Sequence, residues 1–62
     1  MIAARIKDYI SKLGLDINSI ASNINMPVKT LAEMLNGDTK LTAETYFYLC
    51  NALNVPITQF MG

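Results

Sequence analysis

Few side chains in this sequence are able to do covalent or proton-transfer chemistry. Cys50 is the single cysteine and histidine is absent. The thiol therefore has no imidazole to take its proton for nucleophilic attack, and the commonest general base and metal ligand is missing. A lone cysteine cannot close an intrachain disulfide, and its register among Tyr46, Phe47, Leu49 and Leu53 makes it a core residue. No glycine-rich phosphate loop and no carboxylate pair at catalytic spacing occurs, and Tyr9, Tyr46 and Tyr48 read as packing groups. These features argue against an enzyme, and no cofactor, metal or small-molecule substrate is expected. What is left is charge and hydrogen bonding. Arg5, Lys7, Lys12, Lys29 and Lys40 stand against Asp8, Asp16, Glu33, Asp38 and Glu44, for a net charge of zero. Strong non-specific attraction to a polyphosphate needs an excess of Lys and Arg, so any such attraction here depends on charge being sorted between faces.

The elements that position these groups are helical. Asp16 to Gly37, DINSIASNINMPVKTLAEMLNG, reads as two short helices joined by a tight turn. Ile17, Ile20, Ala21 and Ile24 form one helical stripe. Asp16 precedes it as an N-cap, and Asn25 follows where a helix often stops in the left-handed conformation. Pro27 suits the first turn of the next helix, where a missing N–H costs nothing. Leu31, Met34 and Leu35 give that helix its inner face, and Asn36-Gly37 ends it. Two helices separated by Asn25, Met26 and Pro27 match a helix-turn-helix.

The flanks extend the pattern. Ile2, Ile6, Tyr9, Ile10 and Leu13 repeat at helical spacing, with Gly14 as the stop. After the loop DTKL, Thr42 is an N-cap and Glu44 suits the first turn of a further helix. That helix carries Ala43, Tyr46, Phe47, Leu49, Cys50 and Leu53, and being apolar nearly all round it is expected to be buried on more than one side. Asn54 ends it, and Val55-Pro56 restarts a short last helix with Ile57, Phe60 and Met61 turned inward. No alternating strand pattern, linker or repeat appears. The expectation is an all-α single domain over 1–62, with five helices over 2–13, 17–24, 28–35, 43–53 and 57–61. Its core is expected to hold Ile6, Ile20, Ala21, Ile24, Leu31, Met34, Phe47, Cys50, Leu53 and Phe60.

A chain of 62 residues buries only about 60% of its unfolded surface. With half its residues hydrophobic, it has either an efficient core or a surface partly covered by a partner. No apolar run is long enough to span a membrane. Met1-Ile2-Ala3 leads at once into Arg5, Lys7 and Asp8, which does not read as a signal peptide; a cytoplasmic location is the expectation.

The stretch IASNINMPVKTLAEMLNG resembles the helix-turn-helix of the lambda-repressor-like, Cro/cI-type (XRE) family of phage and bacterial DNA-binding domains. The shared positions are Ile20, Ala21, Ile24, Asn25, Met26, Pro27, Thr30, Leu31, Leu35, Asn36 and Gly37. RIKDYISKLGL resembles the family's first helix and ETYFYLCNALNVPITQFM its fourth and fifth, so the likeness runs over about residues 2–61. It implies a compact five-helix domain that docks its second motif helix in the major groove of double-stranded DNA. The family often pairs Arg and Glu where this chain has Ile10 and Leu35. Removing one such charge strands the other at about 3–5 kcal/mol, whereas replacing both with packed apolar groups can be neutral. Ile10 is therefore expected to pack on Leu35.

The resemblance also assigns residues. Base contacts fall on Val28, Lys29 and Glu33: an apolar contact to a thymine methyl, a donor to guanine O6 and N7, and an acceptor from cytosine N4. For Lys29 and Glu33 the plainer alternative is a solvated i, i+4 ion pair. Phosphate contacts fall on Ile17, Asn18, Asn36 and Lys40. Asn36 and Lys40 keep suitable donors. Ile17 stands where the family commonly has Gln and offers no side-chain hydrogen bond, leaving the helix amides beside Asp16 for a phosphate. Asn36 has the alternative of a plain helix cap, and Lys40 that of an ordinary surface lysine.

So small a domain would bind as a homodimer on a two-fold operator. Tyr48 falls where the family usually has a polar outward residue, and with Ile57 and Met61 it forms the expected dimer interface. The sequence thus supports a sequence-specific DNA-binding transcriptional regulator of repressor type. The alternative is a protein-interaction or dimerisation module that keeps the fold with little DNA affinity.

Overall fold

The computed structural model describes residues 2–61. Four helices account for most of them: α1 (Ile2–Leu13), α2 (Ile17–Asn23), α3 (Val28–Leu35) and α4 (Ala43–Leu53). No strand occurs among the described residues. Each helix starts and stops where local chemistry dictates. Asp16 caps α2, its carboxylate accepting from the Asn18 amide at 3.0 Å. Thr42 caps α4, its hydroxyl oxygen accepting from the Thr45 amide at 3.2 Å. Pro27 is itself the extended residue before α3, one place earlier than the first-turn position expected of it.

All four helices end alike. Gly14, Asn25, Gly37 and Asn54 take left-handed backbone angles, with φ between 58° and 85°. At each, the amide of the left-handed residue bonds back three residues, and the next amide bonds back five. After α3 these are Gly37 to the Met34 carbonyl at 3.2 Å and Asp38 to the Glu33 carbonyl at 2.9 Å. This paired pattern satisfies carbonyls that a helix end leaves without partners. It stops α2 at Asn23, one residue short of the expected end.

The core gathers one stripe from each helix. Ala3, Ile6 and Ile10 face inward from α1, Ile20 and Ala21 from α2, and Leu31, Met34 and Leu35 from α3. Helix α3 packs against both α1 and α2, while α2 packs against α4. Ile10 and Leu35 are both buried in one cluster. Ile24 and Leu53, expected in the core, pack against it half-buried.

Helix α4 departs from expectation. It buries a single face, formed by Thr45, Tyr46, Leu49 and Cys50. Phe47, expected in the core, is 52% exposed, as is Tyr48. Each residue turns a helix by about 100°, so Phe47 and Tyr48 point away from the seam through Tyr46, Leu49 and Cys50.

The fifth helix expected over 57–61 is absent. Residues 57–61 form successive turns, with Gln59 bonding to the Pro56 carbonyl at 3.0 Å and Met61 to the Thr58 carbonyl at 3.2 Å. Only Phe60 turns inward; Ile57 and Met61, expected inward, are 44% and 55% exposed. Phe60 meets the edge of Tyr9 at 5.4 Å and that of Tyr46 at 6.5 Å between ring centroids. Arg5 donates to the Phe60 carbonyl at 3.1 Å, and the Tyr46 hydroxyl donates to the Ile57 carbonyl. The tail is thus held by side chains of α1 and α4 instead of by a helical ladder of its own.

Candidate nucleic-acid interface

Helix α3 has an inner face of Leu31, Met34 and Leu35 and an outer face that begins at Val28 and Lys29. Burial of Leu31, which has no exposed surface, fixes the roll of the helix and so the direction in which its outer residues project. Val28 and Lys29 are exposed at its N-terminal end, and Glu33 is half-buried one turn further on. The ion pair between Lys29 and Glu33 considered from sequence does not form. The single ion pair among the described residues joins Lys12 to Asp8 on α1 at 3.1 Å. Lys29 and Glu33 therefore present a separate donor and a separate acceptor along one helix, chemistry suited to base edges.

The residues assigned to phosphate fall in two places. Asn18 and Ile17 open α2. Ile17 is half-buried and packs against the core, which explains an aliphatic residue there. Asn18 is exposed, but its side-chain amide donates to Asp16 at 3.3 Å. The Asp16 carboxylate also takes the Asn18 backbone amide and the Ser19 hydroxyl, the latter at 3.1 Å. Chiefly the Asn18 amide, then the Ser19 hydroxyl, holds this carboxyl below the usual carboxylate range. The Asn18 amide in the first turn of α2 is thus already served by an anion from within the chain.

Asn36 and Lys40 stand at the other end, past the last turn of α3, both exposed. Asn36 is the C-cap of α3, as the plainer alternative has it. Its backbone amide completes the helix through the Ala32 carbonyl at 2.9 Å, and its side-chain oxygen accepts from the ammonium of Lys7 on α1. Sequence reasoning misses Lys7. The available signal is its spacing: it lies three residues before Ile10, on the side of α1 that meets the end of α3.

The charges around α3 and its following loop are balanced, Lys29 and Lys40 against Glu33 and Asp38. Lys7 tips that balance to three cations against two carboxylates. Asp8 lies beside Lys7, with its charge engaged by Lys12. Tyr48, Ile57 and Met61, assigned to a dimer interface, all have exposed side chains, and Phe47 joins them. No helix among the described residues is long and apolar enough to cross a membrane.

A family model described as helix-turn-helix matches residues 6–60. Comparison with curated proteins and with solved structures gave no match.

Proposed function

Because the chain belongs to the Cro/cI-type (XRE) helix-turn-helix family, we propose that it is a sequence-specific DNA-binding transcriptional regulator of repressor type. Helix α3 enters the major groove with Val28, Lys29 and Glu33 toward the base edges. Asn36 and Lys40 hold the backbone on one side, and Asn18 with the amide of Ile17 lies near it on the other. Two copies, joined through Tyr48, Ile57 and Met61, bind the two halves of a symmetric site. The observation that carries this reading is the family match across both motif helices, joined to an α3 whose buried face leaves Val28 and Lys29 outward.

A second reading has observations of its own. The net charge is zero, Asp16 occupies the Asn18 amide at the start of α2, and Phe47 and Tyr48 are half exposed. These features suit a module of the same fold that binds protein with little DNA affinity.

Selection from a random duplex library, followed by binding measurements over a range of salt, separates the two. The regulator reading expects one enriched, two-fold symmetric sequence and an affinity that falls as salt rises. No enrichment, and no duplex binding by micromolar protein at about 50 mM salt, would overturn it in favour of the interaction module.

A further inference from the structure

The contact between Lys7 and Asn36 gives the end of α3 a cation that the assigned phosphate contacts lack. The two residues are 29 positions apart, and the Lys7 ammonium donates to the side-chain oxygen of Asn36. They share a shallow cleft with Ala4, Asp8, Ser11 and Leu35.

A primary amide has one acceptor and one doubly donating nitrogen. Once its oxygen is engaged by Lys7, the Asn36 side chain is held with its NH2 free. The Lys7 ammonium has three protons and spends one on Asn36. The pair therefore presents two donor groups and a full positive charge at a single point. Neighbouring charge does not cancel it, because Asp8, the carboxylate in the same cleft, is paired with Lys12 at 3.1 Å. Below the pair, Ile10 and Leu35 are apolar and buried, and with Asp8 and Lys12 offsetting one another the net charge at this junction of α1 and α3 is that of Lys7.

Resting on the DNA-binding reading, we infer that Lys7 and Asn36 form one phosphate clamp. In it Lys7 supplies the charge and also acts as a positioning residue, turning the Asn36 NH2 toward the same phosphate. Both motif flanks then contribute unequally: the α1–α3 junction grips the backbone, while the Asp16-capped start of α2 does so weakly. The ligand is a nucleic-acid phosphodiester.

The test uses the full chain with Lys7→Ala, Lys7→Gln, Lys7→Arg, Asn36→Ala and the Lys7→Ala/Asn36→Ala double variant. Binding to the duplex selected by the wild type, and to an unrelated duplex, is measured from about 50 to 200 mM salt, and thermal melts check that each variant folds. Lys7→Ala and Lys7→Gln should each lower the salt slope by about 0.9 per subunit. That slope change corresponds to roughly a 3.5-fold relative change in affinity over this salt range. The loss should be equal on both duplexes, and Lys7→Arg should restore the slope. The double variant should lose less than the product of the single losses, since both residues serve one phosphate. Folded Lys7 variants that bind with the wild-type slope, or single losses that multiply, would overturn the clamp and leave the regulator reading standing. A wild type that binds no duplex would overturn both.

Discussion

The hydroxyl of Tyr46 donates to the backbone carbonyl of Ile57, tying α4 to the turns that follow it. Burial, and then the adjoining Cys50 thiol, push the Tyr46 phenol above its usual range, so the hydroxyl stays protonated and remains a donor. Tyr46→Phe keeps the ring against Phe60 and removes this donor alone. The substitution should speed amide hydrogen exchange over residues 57–61 and lower the melting temperature modestly, leaving α1 to α3 unchanged. Exchange in the tail identical to wild type would show that Phe60 and Arg5 suffice to hold it.

Leu31 is the residue whose truncation should matter most for stability. It has no exposed surface and sits where α3 meets the rest of the core. Leu31→Ala should cost about 2–5 kcal/mol. At about 0.05–0.15 kcal/mol per residue, the whole domain has only about 3–9 kcal/mol to lose. A thermal or urea melt should therefore show a variant that is largely unfolded or close to it. An unchanged midpoint would contradict the packing described.

How much of this was legible depended on whether the deciding contact was local. The caps at Asp16 and Thr42 and the left-handed stops at Gly14, Asn25, Gly37 and Asn54 are dictated by residue types and bonds within five residues and lie where expected, although α2 ends one residue early. The single outward faces of α1 and α3 followed from clear helical stripes. Helix α4 did not yield in this way. Tyr46, Phe47, Tyr48 and Leu49 are consecutive and apolar, so periodicity does not choose which side is buried, and Phe47, expected in the core, faces outward. The tail departs from the expected helix for another reason. Val55-Pro56 looks like a helix start, but residues 57–61 answer to Arg5, Tyr9 and Tyr46, far away along the chain. Lys7 was invisible for the same cause: its partner, Asn36, is near only once α1 has packed on α3.

Stability should fall at both ends of the pH scale through identifiable groups. Asp16 has a folded-state pKa below its ordinary value of 3.8. Its contribution is present above that pH and is lost as pH drops through the folded value. Tyr46 has a folded pKa above 10.0, so its contribution is present below pH 10 and is lost as pH climbs through the raised value. Asp16→Asn keeps a capping oxygen and should flatten the acid limb. Tyr46→Phe should flatten the alkaline limb. Melting temperatures across pH check both, and limbs unchanged by these substitutions would assign the losses to other groups.

Association should respond to the exposed face of α4. Phe47 and Tyr48 are each 52% exposed, and Ile57 and Met61 are exposed in the following turns. Apolar exposure of this kind often marks an interface, and the proposed dimer uses it. Tyr48→Lys should shift sedimentation equilibrium toward monomer, and Phe47→Lys tests whether the surface extends past the three residues first assigned to it. Wild-type protein that stays monomeric at high micromolar concentration, with Tyr48→Lys indistinguishable from it, would remove this interface from the proposal.

The last expectation separates reading from holding on the DNA surface itself. Lys29 projects from the start of α3, whereas Lys40 stands in the loop beyond it. In the proposed complex, Lys29→Ala removes a base contact. It should cost roughly 1–3 kcal/mol and relax preference at one base pair per half-site. Lys40→Ala removes a phosphate contact. It should weaken all duplexes alike and lower the salt slope by about one per subunit. Glu33→Gln distinguishes the two kinds of effect within one residue. Losing a negative charge at the groove should strengthen binding to every sequence, while the change from a pure acceptor to an amide should alter the preferred base opposite it. Binding by each variant to the selected site, to single-base changes of it and to an unrelated duplex gives the measurement. If Lys29→Ala and Lys40→Ala reduce binding in the same proportion on every duplex, α3 is not reading bases, and Lys29 acts as one more backbone charge.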